Sequence, residues 1–341
     1  NYNRQSEDLK NAYNVTEKDE GKYRKWRGYG NINGYKNFDD VWNFDYNGSI
    51  ASDRYYMRDY TSENPTYFES KFIFSGVDSK NKNNFNYLNF NNIFYQDLLE
   101  VPLIYQPPRY APTLDINTQE KLFSSENNTF FLNTGFNSTG LYRNNGLNYN
   151  RATFVPEVSN VYRHKKFGLL NLDLSIRGDF YVLNNTDGLN QIDGSQSRLI
   201  PQFDLEYRKV FSIGNLSIQP IVKYSISPDT EQFEKKIANE DSEFSELSFA
   251  NIFSSNRFSG FDRMEYGNRI SYGFDGSFLG LNFGLAQGYR DNNNELKKNS
   301  LPILGFEDNL SDLVGYVSYI LNDNLDIYYR FRNDKDDLSL L

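Results

Sequence analysis

The sequence contains no cysteine, and among its 341 residues there are only two methionines, two tryptophans and one histidine. Without cysteine, the chain can form no disulfide, no thiolate zinc site and no thiol nucleophile. It also has no run of about 18 apolar residues, which excludes a transmembrane helix. The net charge of −9 argues against a general nucleic-acid binder, since the basic residues are mixed with acidic ones.

Aromatic residues are what the sequence has in excess, with 27 Tyr and 28 Phe in an aromatic fraction of 17%. The mean hydropathy is nevertheless −0.71, because these strand-favouring residues stand among Asn, Asp, Ser and Gly, which favour turns. The strands of a membrane barrel alternate apolar and polar residues, so they combine many aromatics with a low average hydropathy. The composition therefore still allows a β-barrel.

Period-two alternation is the dominant pattern along the chain. Between Leu170 and Val182 the even positions are apolar or glycine. The odd positions are Asn171, Asp173, Ser175, Arg177, Asp179 and Tyr181. Similar alternation runs through 199–208, 216–226 and 325–332 and predicts strands with one apolar and one polar face. A soluble sandwich would alternate as well, so this pattern alone does not choose the membrane.

The lengths of the connections favour a membrane barrel. We predict about 14 strands, at 22–33, 40–52, 66–77, 83–96, 109–118, 127–137, 147–163, 168–184, 196–211, 215–227, 265–278, 279–290, 311–321 and 324–333. Short connections at 34–39, 78–82, 164–167, 212–214 and 322–323 alternate with long ones, and only 119–126 is doubtful. Brief turns on one side and long loops on the other indicate an all-β, transmembrane, antiparallel up-and-down β-barrel.

Two features predict irregular pairing. Pro201 and Pro220 lie inside strong strand patterns, and because proline has no backbone N–H we expect strand ends, bulges or weakened pairing there. The chain begins at Asn1 without a signal peptide and stops just after a strand-like run, so we expect an internal fragment. About 14 strands of a larger barrel would then form an open, curved sheet with two unpaired edges.

The most specific motif lies between Asn239 and Asn268. Its centre reads Asn256-Arg257-Phe258-Ser259-Gly260-Phe261-Asp262-Arg263. This octet resembles the N-R-[FY]-[SP]-G-x-D-R signature of the lipopolysaccharide-assembly family LptD, also called organic solvent tolerance protein. The residues on either side of the octet are similar to the family too, particularly to its alphaproteobacterial members.

Three weaker segments resemble the same family by their order and spacing. Trp42–Tyr46 with Arg54–Tyr60 is similar to its W-x-F-D … D-x-x-Y-x-R-x-Y strand and loop. Val101–Tyr105 is similar to its I-P-x-x-x-P entry to a strand. Leu310–Gly315 with Tyr329–Arg332 is similar to its L-S-D-x-V-G … Y-R-F-R pair. The resemblance therefore extends over nearly the whole chain.

What the resemblance implies is a non-enzymatic role in lipopolysaccharide assembly at the outer membrane of a Gram-negative cell. Such a barrel takes lipopolysaccharide from a periplasmic bridge protein, contains a small plug lipoprotein (LptE-like), and inserts its cargo into the outer leaflet. Residues 1–341 are then part of one barrel domain, without the family's amino-terminal periplasmic domain and final strands. The chain also lacks the cysteines that, in some members, link the periplasmic domain to the barrel. No cofactor, metal ion or nucleic acid is expected.

Two other functions stay open at this point. A general porin or a ligand-gated outer-membrane transporter would need a constriction loop or a plug of its own, and the octet favours lipopolysaccharide assembly instead. A barrel hydrolase would need histidine as a general base. The single histidine, His164, stands beside two lysines in a predicted tight turn, so we interpret it as a surface residue. Four clustered acids lack the spacing of a calcium loop and indicate a solvated loop: Glu240, Asp241, Glu243 and Glu246.

The candidate functional residues form two sets. The first belongs to the signature loop: Asn256, Arg257, Phe258, Gly260, Asp262 and Arg263. Charges and aromatics around a glycine predict an ordered loop over 251–265, with looser chain near 231–243. We favour a structural role at the barrel mouth for this loop over contact with lipid phosphates.

The second set of candidate residues is expected to line the lumen on the polar faces of the strands: Asp173, Arg177, Asp204, Glu206, Arg208 and Lys223. Every long connection is too short to fold as a separate plug domain. We therefore expect the lumen to be blocked by missing sequence or by another chain, which some of these side chains would touch.

Overall fold

A computed structural model describes residues 27–53, 55–61, 63, 65–79, 83–98, 110–143, 146–184, 193–228, 233, 236–291, 305, 309–322, 325–336 and 338–339. The beginning of the first predicted strand, at 22–26, lies outside these described residues. So do Arg54 and the family-like motif Val101–Tyr105.

The described chain is almost entirely β-structure. Its strands are β1 (Tyr29–Asn37), β2 (Trp42–Ala51), β3 (Tyr67–Asp78), β4 (Asn84–Asp97), β5 (Tyr110–Ser124), β6 (Asn128–Leu141), β7 (Asn148–His164), β8 (Gly168–Asn184), β9 (Gly194–Arg208), β10 (Phe211–Ile213), β11 (Leu216–Ser227), β12 (Gly267–Phe278), β13 (Leu281–Asp291), β14 (Leu313–Asn322) and β15 (Leu325–Asn333). A short helix, α1 (Tyr56–Thr61), lies between β2 and β3. Among the described residues no helix is long and apolar enough to span a membrane.

The strands form one 15-stranded sheet in which neighbours in sequence are neighbours in space. The order runs from β1 to β9 and then from β11 to β15, while the short strand β10 pairs with β11. Consecutive strands pair antiparallel, as in β1 with β2 and β14 with β15. Within the part of the chain that the structure describes, no pairing joins β1 to β15. The predicted all-β, up-and-down and open sheet is therefore confirmed.

The chain divides into two compact units. Unit 1 contains the described residues of Asn1–Asn117, Phe136–Ala152 and Tyr181–Ser195. Unit 2 contains those of Thr118–Gly135, Thr153–Phe180 and Gln196–Leu341. Unit 1 thus holds β1–β4, unit 2 holds β10–β15, and β5–β9 contribute one end to each.

The two faces of the strands differ in the way that a membrane requires. In β8, the apolar side chains Leu174 and Ile176 are each 49% exposed, whereas Arg177 and Asp179 are 8% and 3% exposed. A water-soluble sheet would bury the apolar face instead. Apolar side chains outside and polar side chains inside are the arrangement of a transmembrane barrel. The predicted alternation is confirmed together with its direction.

Several predicted boundaries were wrong, among them the ends of the first, fifth, sixth and ninth strands, and the short strand β10 was not predicted. The first strand extends to Asn37 rather than ending at 33, because the turn is set by Asp39, whose Oδ1 accepts hydrogen bonds from the backbone N–H groups of Val41 at 2.7 Å and Trp42 at 2.9 Å. The doubtful connection at 119–126 is mostly strand. It becomes a tight turn only after Ser124, where the Ser125 N–H donates to the carbonyl of Asn128 at 2.7 Å.

The pairing of β9 with β11 is interrupted near both prolines, as predicted. Opposite Pro220, the strand ends at Arg208 and resumes as β10 at Phe211. At the other end, the ladder runs only as far as the pair of Phe203 with Ile226. Pro201 lies just before Phe203 in the sequence of β9, immediately beyond the end of this ladder.

The facing of β11 leads to a stability prediction. Val222 is 40% exposed on the apolar face, so Val222→Arg should lower the free energy of unfolding by about 2–4 kcal/mol if the site lies near the bilayer midplane. Val222→Leu keeps the side chain apolar and serves as the control. The measurement is reversible refolding of the complete barrel into lipid bilayers. Equal stability of the two variants would contradict the membrane placement of this face.

Candidate functional site

The connection between β11 and β12 contains the residues of greatest functional interest. We call its described part, 236–266, the signature segment, and all of it belongs to unit 2. Ile237 and Asp262 are 0% exposed and Glu265 is 1% exposed, so this loop is an ordered, buried element. The predicted order over 251–265 is confirmed. The looser chain expected near 231–243 is wrong for 236–243, because the backbone there is held by side chains of the octet.

Reciprocal capping by two aspartates holds the two ends of the segment together. Asp262 accepts hydrogen bonds at Oδ2 from the N–H groups of Glu240 at 2.7 Å and Asp241 at 3.1 Å. Asp241 Oδ1 accepts from the N–H groups of Phe261 at 3.0 Å and Asp262 at 3.1 Å. The hydroxyl of Ser242 accepts a further bond from the Asp262 N–H at 2.8 Å. Side chains thus satisfy backbone donors that no regular ladder serves.

Glycine is required at the turn within the octet. Gly260 has a φ of +69°, in the left-handed region. A Cβ atom at this position would overlap the backbone carbonyl oxygen of Asp241. Next to this turn, Phe244 and Phe258 form a β-bridge, and their rings meet edge to face with centroids 4.7 Å apart. The octet therefore folds back on the acidic stretch that precedes it.

A buried carboxylate fastens the segment to two strands. Glu265 pairs with Arg257 of the octet at 2.5 Å, with Arg269 of β12 at 2.5 Å, and with Arg290 of β13. Burial alone would raise the pKa of the Glu265 carboxyl. The attraction of the three guanidinium groups outweighs burial and holds that pKa well below its usual range. The carboxylate therefore stays charged wherever the segment is in place.

A second ionic cluster joins the octet to β8 and β9. The buried Asp179 pairs with Arg177 at 2.9 Å and with Arg198. Both arginines also donate to the backbone carbonyl oxygen of Phe261, and Arg198 donates to that of Asp262 at 3.2 Å. The hydroxyl of Thr153 donates to Asp179 at 2.6 Å and orients the carboxylate. Arg177 and Arg198, on the polar faces of β8 and β9, thus bind the backbone of the segment.

Apolar contacts complete the attachment. Leu247 and Ile252 of the segment form a buried cluster with Ala286 of β13 and Val314 of β14. Phe249 packs on the ring of Tyr316, with centroids 5.0 Å apart. The segment therefore covers several strands of unit 2, and it shares a small apolar cluster with β13 and β14.

The predicted lumen-facing residues fall into two groups. All six lie on the polar faces of their strands. Lys223 donates to the hydroxyl of Ser255 at 2.7 Å, so Lys223 and Arg177 are covered by the signature segment and do not border open space. Asp204 is 5% exposed and accepts from Ser225. The remaining three, Asp173, Glu206 and Arg208, are partly exposed. A role in lining a lumen stays a prediction for them.

The six signature residues have mainly internal contacts. Besides those described above, Asn256 accepts at Oδ1 from the N–H groups of Phe258 at 3.2 Å and Glu265 at 3.0 Å. Arg263 donates to the carbonyl of Ile237 at 3.3 Å. These contacts favour the structural interpretation of the loop, and contact with lipid phosphates stays a prediction.

Several residues of the site were not selected from the sequence. They are Asp179, Arg198, Asp241, Ser242, Glu265, Arg269 and Arg290. Asp179, Arg198, Arg269 and Arg290 lie on strands, whereas Asp241, Ser242 and Glu265 belong to the connection, and the sequence does not show that the two groups meet. The polar character of a face does not reveal which loop will cover it.

Unit 1 contains a separate ionic cluster around a family-like motif. Arg27 pairs with Asp53 at 2.7 Å and with Asp59 of α1 at 2.9 Å. Its guanidinium also lies over the ring of Tyr60, 5.2 Å from the centroid. These contacts hold α1 against the start of β1.

His164 occupies the turn predicted for it. It is the last residue of β7, and its Nδ1 accepts hydrogen bonds from the backbone N–H groups of Lys166 at 3.2 Å and Phe167 at 3.4 Å. Its ring also stacks on the rings of Tyr162 and Phe167. The geometry is that of a turn-stabilising side chain.

Comparison with known proteins agrees with the motif. The family model described as LPS transport system D, LptD, matches residues 25–340. Two curated relatives, the LPS-assembly proteins LptD of Francisella tularensis subsp. novicida (strain U112) and Francisella tularensis subsp. tularensis (strain FSC 198), are each 26% identical over 208 residues. Each alignment covers 56% of this chain and 22% of the relative, so the chain corresponds to only part of their length. Among solved structures, CdiB from Acinetobacter baumannii is similar over 87% of this chain and 51% of its own, with 13% identity and a TM-score of 0.42.

The cluster at Glu265 predicts a large effect of a small substitution. Glu265→Gln leaves three arginines around a neutral group in a buried site, so we expect a loss of about 3–5 kcal/mol of stability. The exposed acid Glu243 is the control, and Glu243→Gln should change stability by less than about 0.5 kcal/mol. The measurement is denaturant unfolding of the complete barrel, with limited proteolysis of 236–266 as a local readout. Similar behaviour of the two variants would refute the anchoring role.

The low pKa of Glu265 also predicts how attachment depends on pH. Its stabilising contribution is present above the ordinary glutamate pKa of about 4.3 and is lost only as the pH falls through the lower folded value. Protease resistance of the segment should therefore persist at a pH where surface carboxylates are already protonated. Detachment at or above the ordinary carboxylate pKa would be inconsistent with the three-arginine environment.

The turn at Gly260 provides an independent test. Gly260→Ala should destabilise the segment by at least about 1–2 kcal/mol, the cost of a left-handed backbone for a non-glycine residue, and the overlap with Asp241 adds to this. Gly178→Ala is a suitable control, because a Cβ there meets only ordinary contacts at 3.8 Å. The comparison is made by protease sensitivity of 236–266 in the folded barrel. Equal resistance of both variants would contradict the assigned geometry.

Proposed function

The chain belongs to the LptD family, and from this premise we propose that it forms part of the barrel that inserts lipopolysaccharide into the outer leaflet of the outer membrane. The observation that carries the proposal is the family match over 25–340, which includes both the sheet and the signature segment. The relatives it matches are named for LPS assembly. An antiparallel sheet with an exposed apolar face is suited to the outer membrane.

In the proposed role, the two faces of the sheet meet different parts of the lipopolysaccharide molecule. Lipopolysaccharide is an amphiphile whose acyl chains require apolar surroundings and whose charged groups require polar partners or water. A barrel wall with apolar residues outside and charged residues inside can separate these two requirements. The role calls for binding and transfer without covalent chemistry, in keeping with a family named for transport.

The signature segment contributes a partial seal in this proposal. A large barrel has a lumen too wide to be filled by strand side chains, and an open lumen would leak solutes. In unit 2 the segment fills part of that space with chain from the same protein. The expectation that the blockage comes from missing sequence or another chain stays a prediction, to which the segment would add a contribution in unit 2.

We infer that a second chain, a plug lipoprotein, docks on the polar face of β2 and β3 in unit 1. On that face Asn43, Asp45 and Asn47 are exposed, and the register places Lys71 of β3 opposite Asn47. Amides with charges of both signs suit a polar protein surface better than a lipid chain. Lipopolysaccharide and a periplasmic bridge protein complete the proposed set of partners.

The partner proposal predicts a face-dependent crosslink. A photo-crosslinking residue in place of Asn47 in the complete protein should capture a small lipoprotein in the outer membrane. The control is Phe72, which is 43% exposed on the apolar face of β3 and should capture none. Lipoprotein adducts from both positions, or from neither in a sealed barrel, would contradict the assigned docking face.

The function itself is tested by complementation. The complete reading frame should restore surface lipopolysaccharide in a Gram-negative strain depleted of its own LptD-family protein, as measured by labelling of intact cells. Purified barrel with its plug should show low conductance in planar bilayers. Failure to restore surface lipopolysaccharide, together with large open-channel conductance, would favour a general porin or ligand-gated transporter instead.

A further inference from the structure

The sheet of unit 2 has a point of weakness between β9 and β11. Their ladder runs from the pair of Arg208 with Ile221 to the pair of Phe203 with Ile226. Each further step along β9 moves one step on along β11. The same register would therefore place Gln202 opposite Ser227 and Pro201 opposite Pro228, and neither pair occurs in the described ladder.

The two prolines account for the end of the ladder. Proline has no backbone N–H, so it cannot donate to a neighbouring strand. With Pro201 and Pro228 facing each other, neither strand offers a donor at that position, and continued pairing would leave both carbonyl oxygens without a partner across the gap. The chain of β11 then leaves the sheet, since the strand ends at Ser227.

An apolar groove of about 870 Å³ opens at this position. It is lined by Pro201 and Phe203 of β9 and by Ile226 and Pro228 at the end of β11. From there it extends across the apolar faces of β8, β7 and β6, through Ile176, Val158 and Leu132. The volume falls within the range of about 300–1,000 Å³ that is typical of sites for small organic ligands. Glu157 borders the groove, but its carboxylate accepts hydrogen bonds from Asn133 at 2.8 Å and Ser159 at 3.0 Å. The groove is therefore suited to hydrocarbon.

The groove is continuous with the surface that meets the bilayer. Leu174 and Ile176 are 49% exposed and Ile226 is 39% exposed, all on the apolar face of the sheet. Pro228 lines one side of the groove and is the first residue of the long connection to β12. Long connections lie on the outer side of an up-and-down barrel, so this side faces the outer leaflet. Arg198 of β9 lies on the opposite, polar face of the sheet, where it donates hydrogen bonds to the backbone of the signature segment.

We propose that this groove, which begins at the incomplete ladder of β9 and β11 and extends across β8, β7 and β6, holds an acyl chain of lipopolysaccharide as the glycolipid enters the outer leaflet. The proposal rests on the proposed function and specifies a place where the cargo contacts the wall. The shape of the groove is what retains the chain, because a flat apolar surface has no advantage over the surrounding lipid. The missing pairing beyond Phe203 lets the chain approach without displacing ladder hydrogen bonds.

The test uses the complete protein purified in vesicles that contain both lipopolysaccharide and phospholipid, so that it does not depend on transport. A photo-crosslinking residue replaces Phe203 in the groove. The control replaces Tyr272, which is 41% exposed on the apolar face of β12 and lies outside the groove. We expect several-fold more lipopolysaccharide adduct from position 203 than from position 272. Equal yields, or adducts with phospholipid only, would overturn the proposal.

A second variant pair tests the shape of the groove. Ile226→Trp fills the groove from β11, whereas Val222→Trp adds the same bulk on the same face of the same strand, outside the groove. With the crosslinker at 203, Ile226→Trp should reduce the lipopolysaccharide adduct several-fold and Val222→Trp should leave it unchanged. Folding of each variant is checked by heat-modifiable migration in gels. An unchanged adduct in folded Ile226→Trp would refute the site.

The crosslinking in vesicles and the complementation in cells together separate this inference from the proposed function. Capture at position 203 in vesicles, combined with failure of the complete protein to restore surface lipopolysaccharide in cells, would support the groove and reject the assembly role. Restoration of surface lipopolysaccharide in cells, combined with equal capture at positions 203 and 272, would support the assembly role and reject the groove.

Discussion

A sheet that crosses a membrane cannot leave polar groups facing hydrocarbon, and this constraint determines most of what the structure shows. One face of the strands exposes apolar residues such as Leu174, Ile176 and Val222. The charged residues collect on the opposite face. Buried charges on that face must be paired or hydrogen-bonded. In unit 2 they find their partners in the segment 236–266, which follows β11 and returns to the sheet instead of projecting away from it.

The pairing is distributed so that the strands and the segment depend on each other. Glu265 supplies the negative charge for three arginines, two of which belong to strands. Asp179 lies on a strand and holds two arginines whose remaining donors reach backbone carbonyls of the octet. Removing one partner from such a buried group costs much more than a surface ion pair contributes. The octet therefore has a structural role, because it attaches the covering segment 236–266 to the strands beneath it.

The periodicity of the sequence was sufficient to predict most of the strands and their facing, and the charges and aromatics around Gly260 were sufficient to predict the order of the octet. Long, strongly alternating stretches such as β8 match their predicted bounds, because burial of one face specifies the register. The first strand did not match, since it is rich in Gly and Asn and alternates weakly. The partners of the charges were also beyond sequence reasoning. Arg177 and Phe261 are 84 residues apart, and only the inward course of the connection brings them together.

The same covering element explains how the wall tolerates a ladder that stops at Phe203 and Ile226. β11 keeps its full pairing with β12 along its whole length. Across the weak position, Arg198 of β9 is bonded to the octet, and Arg269 of β12 is bonded to Glu265 at the octet's other side. The segment thus connects β9 to β12 on the polar face where the ladder between β9 and β11 is incomplete. Two facing prolines can then open the apolar face locally, because ionic contacts on the opposite face keep the strands together.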